Sequence, residues 1–117
     1  MAVFTKREKQ VVNNPGTGTI EKEILMDPSA FQGNNDLFAQ ITLHPGCAVP
    51  VHQHLGNNET YYLLQGEGEY TDEDKKLTVK AGDVTFCADG GTRGLKNTGK
   101  EDLVFIALIC NTPGYKR

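Results

Sequence analysis

Turn-forming residues interrupt this chain before a helical apolar period can establish itself. Thirteen glycines and five prolines are distributed through 117 residues, and the runs between them are short and rich in β-branched, aromatic and alternating apolar residues, the pattern of strands joined by turns. In Leu37–Leu43, the residues Leu37, Ala39, Ile41 and Leu43 fall on one side, as in a half-buried strand. Further extended runs are expected at 49–54, 59–65, 69–71, 76–79, 84–87 and 103–110. The last is apolar on both sides and is expected to lie centrally in its sheet. A polar hairpin tip is expected at 72–75, and one short helical turn within 26–31. Asn13-Asn-Pro-Gly-Thr-Gly18 excludes a long helix near the start, so residues 1–20 read as an arm laid against the barrel or, as a strand, against a second subunit. Residues 21–117 read as one all-β domain, an antiparallel barrel or jelly roll of eight to ten short strands.

The length is enough for one domain with its own core. The net charge is −3, with both signs scattered. No basic patch is present to hold nucleic acid, and no apolar run is long enough to cross a bilayer. The N-terminus lacks the apolar core of a signal peptide. Three cysteines, Cys47, Cys87 and Cys110, fit no zinc-binding or redox pair, so a reduced, cytoplasmic protein is expected.

The chemistry is concentrated between Gly46 and Gly66. His52 and His54 stand two residues apart on an extended segment, so both imidazoles leave it on the same side. Glu59, on the next strand, can fold back over that face. Two imidazoles and one carboxylate form the ligand set of mononuclear Fe, Mn or Zn sites with open positions. The expectation is one divalent metal ion (Fe, Mn, Zn or Ni) held by His52, His54 and Glu59.

The spacing Gly46, His52, His54, Glu59, Gly66 resembles the first motif of the cupin superfamily at every fixed position. A second motif follows after a short gap, with Gly82, Gly90 and Asn97 in place and two departures: Ala88 at the family's proline and Arg93 at its histidine. The match runs over nearly half the chain and is similar to the small single-domain bacterial cupins. The resemblance implies a cupin-type double-stranded β-helix, a jelly-roll barrel with a metal or small ligand in its mouth, and a homodimer. It does not choose a function, because the fold hosts many.

Arg93 cannot replace the histidine as a ligand, since its guanidinium is protonated and has no lone pair. Three roles are open to it: gripping the carboxylate or phosphate of a substrate beside the metal, pairing with Glu59 and excluding the metal, or facing solvent. Neither His44 nor Cys87 is an obvious substitute ligand. If Glu59 points inward, Tyr61 and Gln65 share its face; core packing is the simpler role for Tyr61, and a proton shuttle the catalytic one. Tyr62 faces the other way, toward sheet packing or an interface. Phe38, Phe86 and Phe105 are expected in the core.

Three functions follow. The first is an enzyme in which Tyr61 and Arg93 serve catalysis on a small anionic oxygenated compound, with oxygenase, isomerase and decarboxylase chemistry all open. The second is a non-catalytic small-molecule-binding module without metal. The third is a structural or interaction protein that keeps a relic site. No nucleic-acid or membrane partner is expected.

Overall fold

The computed structural model describes residues 3–113. Among the described residues ten strands follow one another with a single 3-10 turn, Pro28–Phe31, between the second and third. They are β1 (Glu8–Asn14), β2 (Gly18–Ile24), β3 (Asn35–Leu43), β4 (Ala48–Gln53), β5 (Asn57–Gln65), β6 (Glu67–Asp72), β7 (Lys75–Lys80), β8 (Val84–Cys87), β9 (Thr92–Asn97) and β10 (Leu103–Asn111). One sheet runs β1-β2-β3-β10-β5-β8 and the other β4-β9-β6-β7, and the strand pairs are antiparallel. This is the jelly-roll barrel that the strand pattern predicts.

Alternation decides which side chains fill the barrel. Ala39, Ile41 and Leu43 on β3, Tyr61 and Leu63 on β5, and Leu103, Phe105 and Ala107 on β10 are sealed from solvent. Leu95, Tyr70 and Val79 meet them from the other sheet. β10 lies between β3 and β5, so both its edges are satisfied. Its apolar residues on both faces had pointed to that central place.

Four positions depart from the sequence pattern. The sequence pattern assigns no strand to Arg93–Asn97, yet these residues form most of β9. Arg93, Leu95 and Asn97 all face inward and are buried. Phe86 was expected in the core but is 59% exposed. Thr85 and Cys87 take the inward positions of β8, so parity turns Phe86 out beside Val84. Phe38 is only partly buried for the same reason: Leu37 and Ala39 are its inward neighbours. Phe105 is fully buried, as expected. Gln65, last in β5, is exposed and donates to the Asp102 carbonyl, so it does not reach the barrel interior.

The N-terminal arm contains a hairpin. β1 pairs with β2 from Glu8–Ile24 through Asn14–Gly18, and β2 pairs with β3. β2 therefore extends the larger sheet and buries Ile20 and Ile24 in the common core. His44, at the end of β3, clasps this addition. Its Nδ1 lies 2.8 Å from Asp102 Oδ1, and its Nε2 hydrogen-bonds Glu21 of β2.

The glycine Gly66, between β5 and β6, illustrates how tightly the chain turns. Its φ is +87°, and an added Cβ would lie 2.7 Å from the Asp102 carbonyl oxygen. Gly46 has a similar φ of +83° but open space around it. Gly66→Ala is expected to lose about 2 kcal/mol or more, combining left-handed strain with a backbone clash, and Gly46→Ala only about 1 kcal/mol. Paired thermal melts test this, and equal losses would show that the Asp102 contact is unimportant.

Candidate functional site

The local conformation of β4 is set by Pro50. Val49 pairs with Leu95, but His52 pairs with Arg93, so β4 carries one residue more than β9 over this stretch. The bulge falls at Pro50-Val51, where a proline lacking an N–H is tolerated in a sheet. Gly94 allows the bulge to pack, since a Cβ there would meet the Val51 side chain at 2.8 Å. The bulge brings His52 directly opposite Arg93. His54 follows at the buried end of the segment, held by backbone bonds to Gly90 and Gly91.

Both histidines are oriented through Nδ1. His52 Nδ1 donates to the Pro50 carbonyl at 2.7 Å, and His54 Nδ1 donates to Asn57 Oδ1 at 2.6 Å. Each Nε2 lone pair is thereby directed away from its anchor. The His54 Nε2 accepts from Arg93 Nη2 at 3.1 Å and lies 3.3 Å from Glu59 Oε1. Burial, more than the nearby Arg93, holds the His54 pKa below its usual value, so the ring is neutral at neutral pH.

Glu59 and Arg93 form a buried ion pair, each side chain about 3% exposed. The guanidinium also lies 4.4 Å from the centre of the Tyr61 ring, a cation–π contact. Tyr61 is itself wedged against Phe105 and Tyr70. Burial raises its hydroxyl pKa well above normal, so it remains protonated. Burial draws the Arg93 pKa down to about 9, which leaves it charged at neutral pH beside Glu59. Arg93 Nε and Nη1 are buried and have no acceptor. Buried donors are nearly always satisfied, so two on one charged group demand an explanation.

These residues line one cavity of about 120 Å³, together with Lys22, Leu37, Val49 and Ile109 among others. That volume suits a few water molecules or a ligand of a few heavy atoms. The structure thus brings the five expected residues, His52, His54, Glu59, Tyr61 and Arg93, to the lining of one cavity, from both sheets. Lys22 was missed, although the alternation Ile20-x-Lys22-x-Ile24 would have placed it on an inward face. His44 is engaged by Asp102 and Glu21 and does not line the cavity. The remaining motif positions are structural. Asn97 Nδ2 donates to the Leu43 and Glu101 carbonyls, and its Oδ1 accepts from Gly99.

The donor chemistry suits a divalent metal in one respect. Histidines that ligate through Nε2 commonly donate Nδ1–H to an oxygen, as both do here. It fails in another, because the Arg93 guanidinium holds the place between Glu59 and His54. Among the described residues no three His, Cys, Asp or Glu side chains are grouped to hold a metal ion. The set fits a metal only if the guanidinium leaves Glu59.

The histidines differ in electrostatics. His54 has a lowered pKa, so its protonation favours the unfolded chain. Its contribution to stability is complete above the ordinary 6.5 and is lost as pH falls toward its native midpoint. His44 has a raised pKa, first through Asp102 and then Glu21. Its contribution is complete below 6.5 and is lost as pH rises through its native midpoint. An NMR titration of the ring protons is expected to give midpoints on opposite sides of 6.5 for these two residues. A His54 midpoint at or above that of His44 would contradict the buried hydrogen-bonded arrangement.

Comparison with known proteins agrees with this architecture. The Cupin domain family model matches residues 39–109. An oxalate-binding protein from Thermotoga maritima is 42% identical over 94 residues, covering 80% of this chain and 78% of the relative. The crystal structure of a "predicted oxalate decarboxylase" from Thermotoga maritima superposes with a TM-score of 0.89 at 36% identity, covering 96% of this chain and all of the other. KdgF from Halomonas sp., at 20% identity and a TM-score of 0.75 over 95% of each chain, shares the fold. The family match over most of the barrel, joined to the motif residues around one cavity, shows that this chain belongs to the cupins.

Proposed function

We propose that this cupin binds a small oxyanion, of the size and charge of a short carboxylate such as oxalate, in the cavity walled by His52, His54, Glu59, Tyr61 and Arg93. The observation that carries this reading is the buried Arg93, whose Nε and Nη1 lack acceptors. A carboxylate presents two parallel oxygens to a guanidinium and forms charge-assisted bonds stronger than neutral ones. A ligand that draws the guanidinium off Glu59 frees Nη2, which makes a two-pronged fork with Nε or with Nη1, so a carboxylate takes up one of the orphan donors beside Nη2. Tyr61 supports the planar group from below, and neutral His54 accepts from it on one side. The relatives named for oxalate support a ligand of this class.

A second reading is favoured by the Nδ1 anchoring of both histidines. In it, His52, His54 and Glu59 hold one divalent metal once Arg93 has turned to the anion. The metal would supply Lewis acidity to the bound carboxylate, opening the enzymatic alternatives. The protein residues would position the anion and exclude water. Exposed apolar residues on the outer faces of β5 and β8, Tyr62, Leu64, Val84 and Phe86, support a homodimer through this surface.

Calorimetric titration with oxalate, in chelated buffer and then with Mn, tests both readings. Stoichiometric binding in chelator is expected. The double substitution E59Q/R93M, which removes the pair without orphaning either charge, is expected to weaken it about thirtyfold or more. Undiminished binding by that variant would place the anion elsewhere. For the metal, Arg93→His is expected to raise retained metal toward one equivalent by plasma mass spectrometry, and His52→Ala to abolish it. A metal content indifferent to both changes would remove the second reading.

A further inference from the structure

We propose that Lys22 is a second anion-gripping residue of this cavity, and that the pair Lys22 and Arg93 selects small dicarboxylates over monocarboxylates. The inference rests on the anion-binding reading and names the ligand class for the same site. Its basis is the placement of β2. Ile20 and Ile24 on that strand are buried, so Lys22 between them shares the inward face and lies opposite Ile41 of β3. It is partly buried and lines the cavity.

Its neighbours on β2 face the other way and have partners: Glu21 bonds His44, and Glu23 pairs with Lys9 at 3.5 Å. Among the described residues Lys22 enters no ion pair. The acidic and cationic side chains lining the cavity, the histidines aside, are Arg93, Glu59 and Lys22. Glu59 offsets Arg93, and Lys22 leaves the wall net positive.

The two cations also come from opposite sheets. Lys22 belongs to the six-stranded sheet and Arg93 to the four-stranded one. A short dicarboxylate in so small a space can place one carboxylate against each. A monocarboxylate reaches only one, and the Coulomb attraction to Lys22 scales with the charge brought near it. An ammonium suits this post, being a flexible point charge that follows a ligand of varying reach.

The experiment is calorimetric titration of oxalate and of acetate against the full chain and its Lys22→Met and Lys22→Arg variants, at pH 7.5 and two salt concentrations. Met keeps an unbranched apolar stem at the position opposite Ile41, and thermal melts check that the fold survives. Lys22→Met is expected to weaken oxalate about tenfold or more through loss of a charge-assisted contact. Acetate should change much less, and the salt dependence of oxalate binding should flatten. Lys22→Arg should retain the preference for oxalate.

If Lys22→Met leaves oxalate unchanged while E59Q/R93M loses it, the ammonium points to solvent and this inference falls while the anion site stands. If Lys22→Met weakens both anions equally, selection of dicarboxylates is wrong. If the unaltered chain binds neither anion, the anion-binding reading fails and this inference fails with it.

Discussion

A carboxylate and a guanidinium taken together out of water govern this barrel. Removing two charges from solvent costs several kcal/mol each, and only close pairing with further hydrogen bonds offsets it. Glu59 is brought to the pair by β5, and Arg93 by β9 from the opposite sheet. The two sheets are thus tied together at the mouth by an interaction that tolerates little relative displacement. His54 accepts on one side of the guanidinium and Tyr61 supports its face. Even so, two of the guanidinium donors remain without acceptors. Such incompleteness in a buried charged network is expensive.

The geometry beneath the pair was partly written in the chain. Parity along Glu59-Thr-Tyr61-Tyr-Leu63 places Glu59, Tyr61 and Leu63 inward, and they are among the most buried residues. The Gly46–Gly66 spacing located the turn and strand ends. What local pattern could not decide was the fate of Arg93. A charged residue in Thr92-Arg-Gly-Leu-Lys-Asn97 reads as a loop, because β9 contains a glycine and two cations. It becomes a strand because both its neighbours, β4 and β6, supply backbone partners, and Gly94 admits the bulge of β4. That outcome is tertiary and leaves only a weak trace in the alternation Arg93, Leu95, Asn97. Phe86 was misjudged for a related reason. Apolar identity suggested the core, but strand parity outranks it when Thr85 and Cys87 take the inward positions.

The hairpin of β1 and β2 shows the same limit. Its sequence has turn residues and little apolar content, so it read as an arm, yet pairing with β3 brings Ile20, Lys22 and Ile24 over the barrel interior. Part of the cavity wall therefore comes from residues that precede both motifs. The clasp of His44 between Glu21 and Asp102 fixes that strand to the turn before β10. The side of the site that motif spacing describes is thus completed by a side that only the sheet order reveals.

The change from histidine to Arg93 reverses the electrostatics of the position. A histidine there would present a lone pair to a cation; the guanidinium presents protons to an anion. Glu59 keeps its carboxylate in either case, but its partner changes from a mobile ion to a tethered one. The tethered cation cannot diffuse away, so it ties β5 to β9 through a side chain of the protein itself. A divalent ion must compete with it for Glu59 and His54, and succeeds only when another acceptor draws the guanidinium aside. An anion in the cavity, as proposed, would supply that acceptor. Anion and metal are then coupled through one side chain, each favouring the arrangement that admits the other, and by linkage that coupling is reciprocal. On the proposed reading the same barrel would bind an anion alone or an anion with a metal, and the energy of the Glu59–Arg93 pair would set the balance between them.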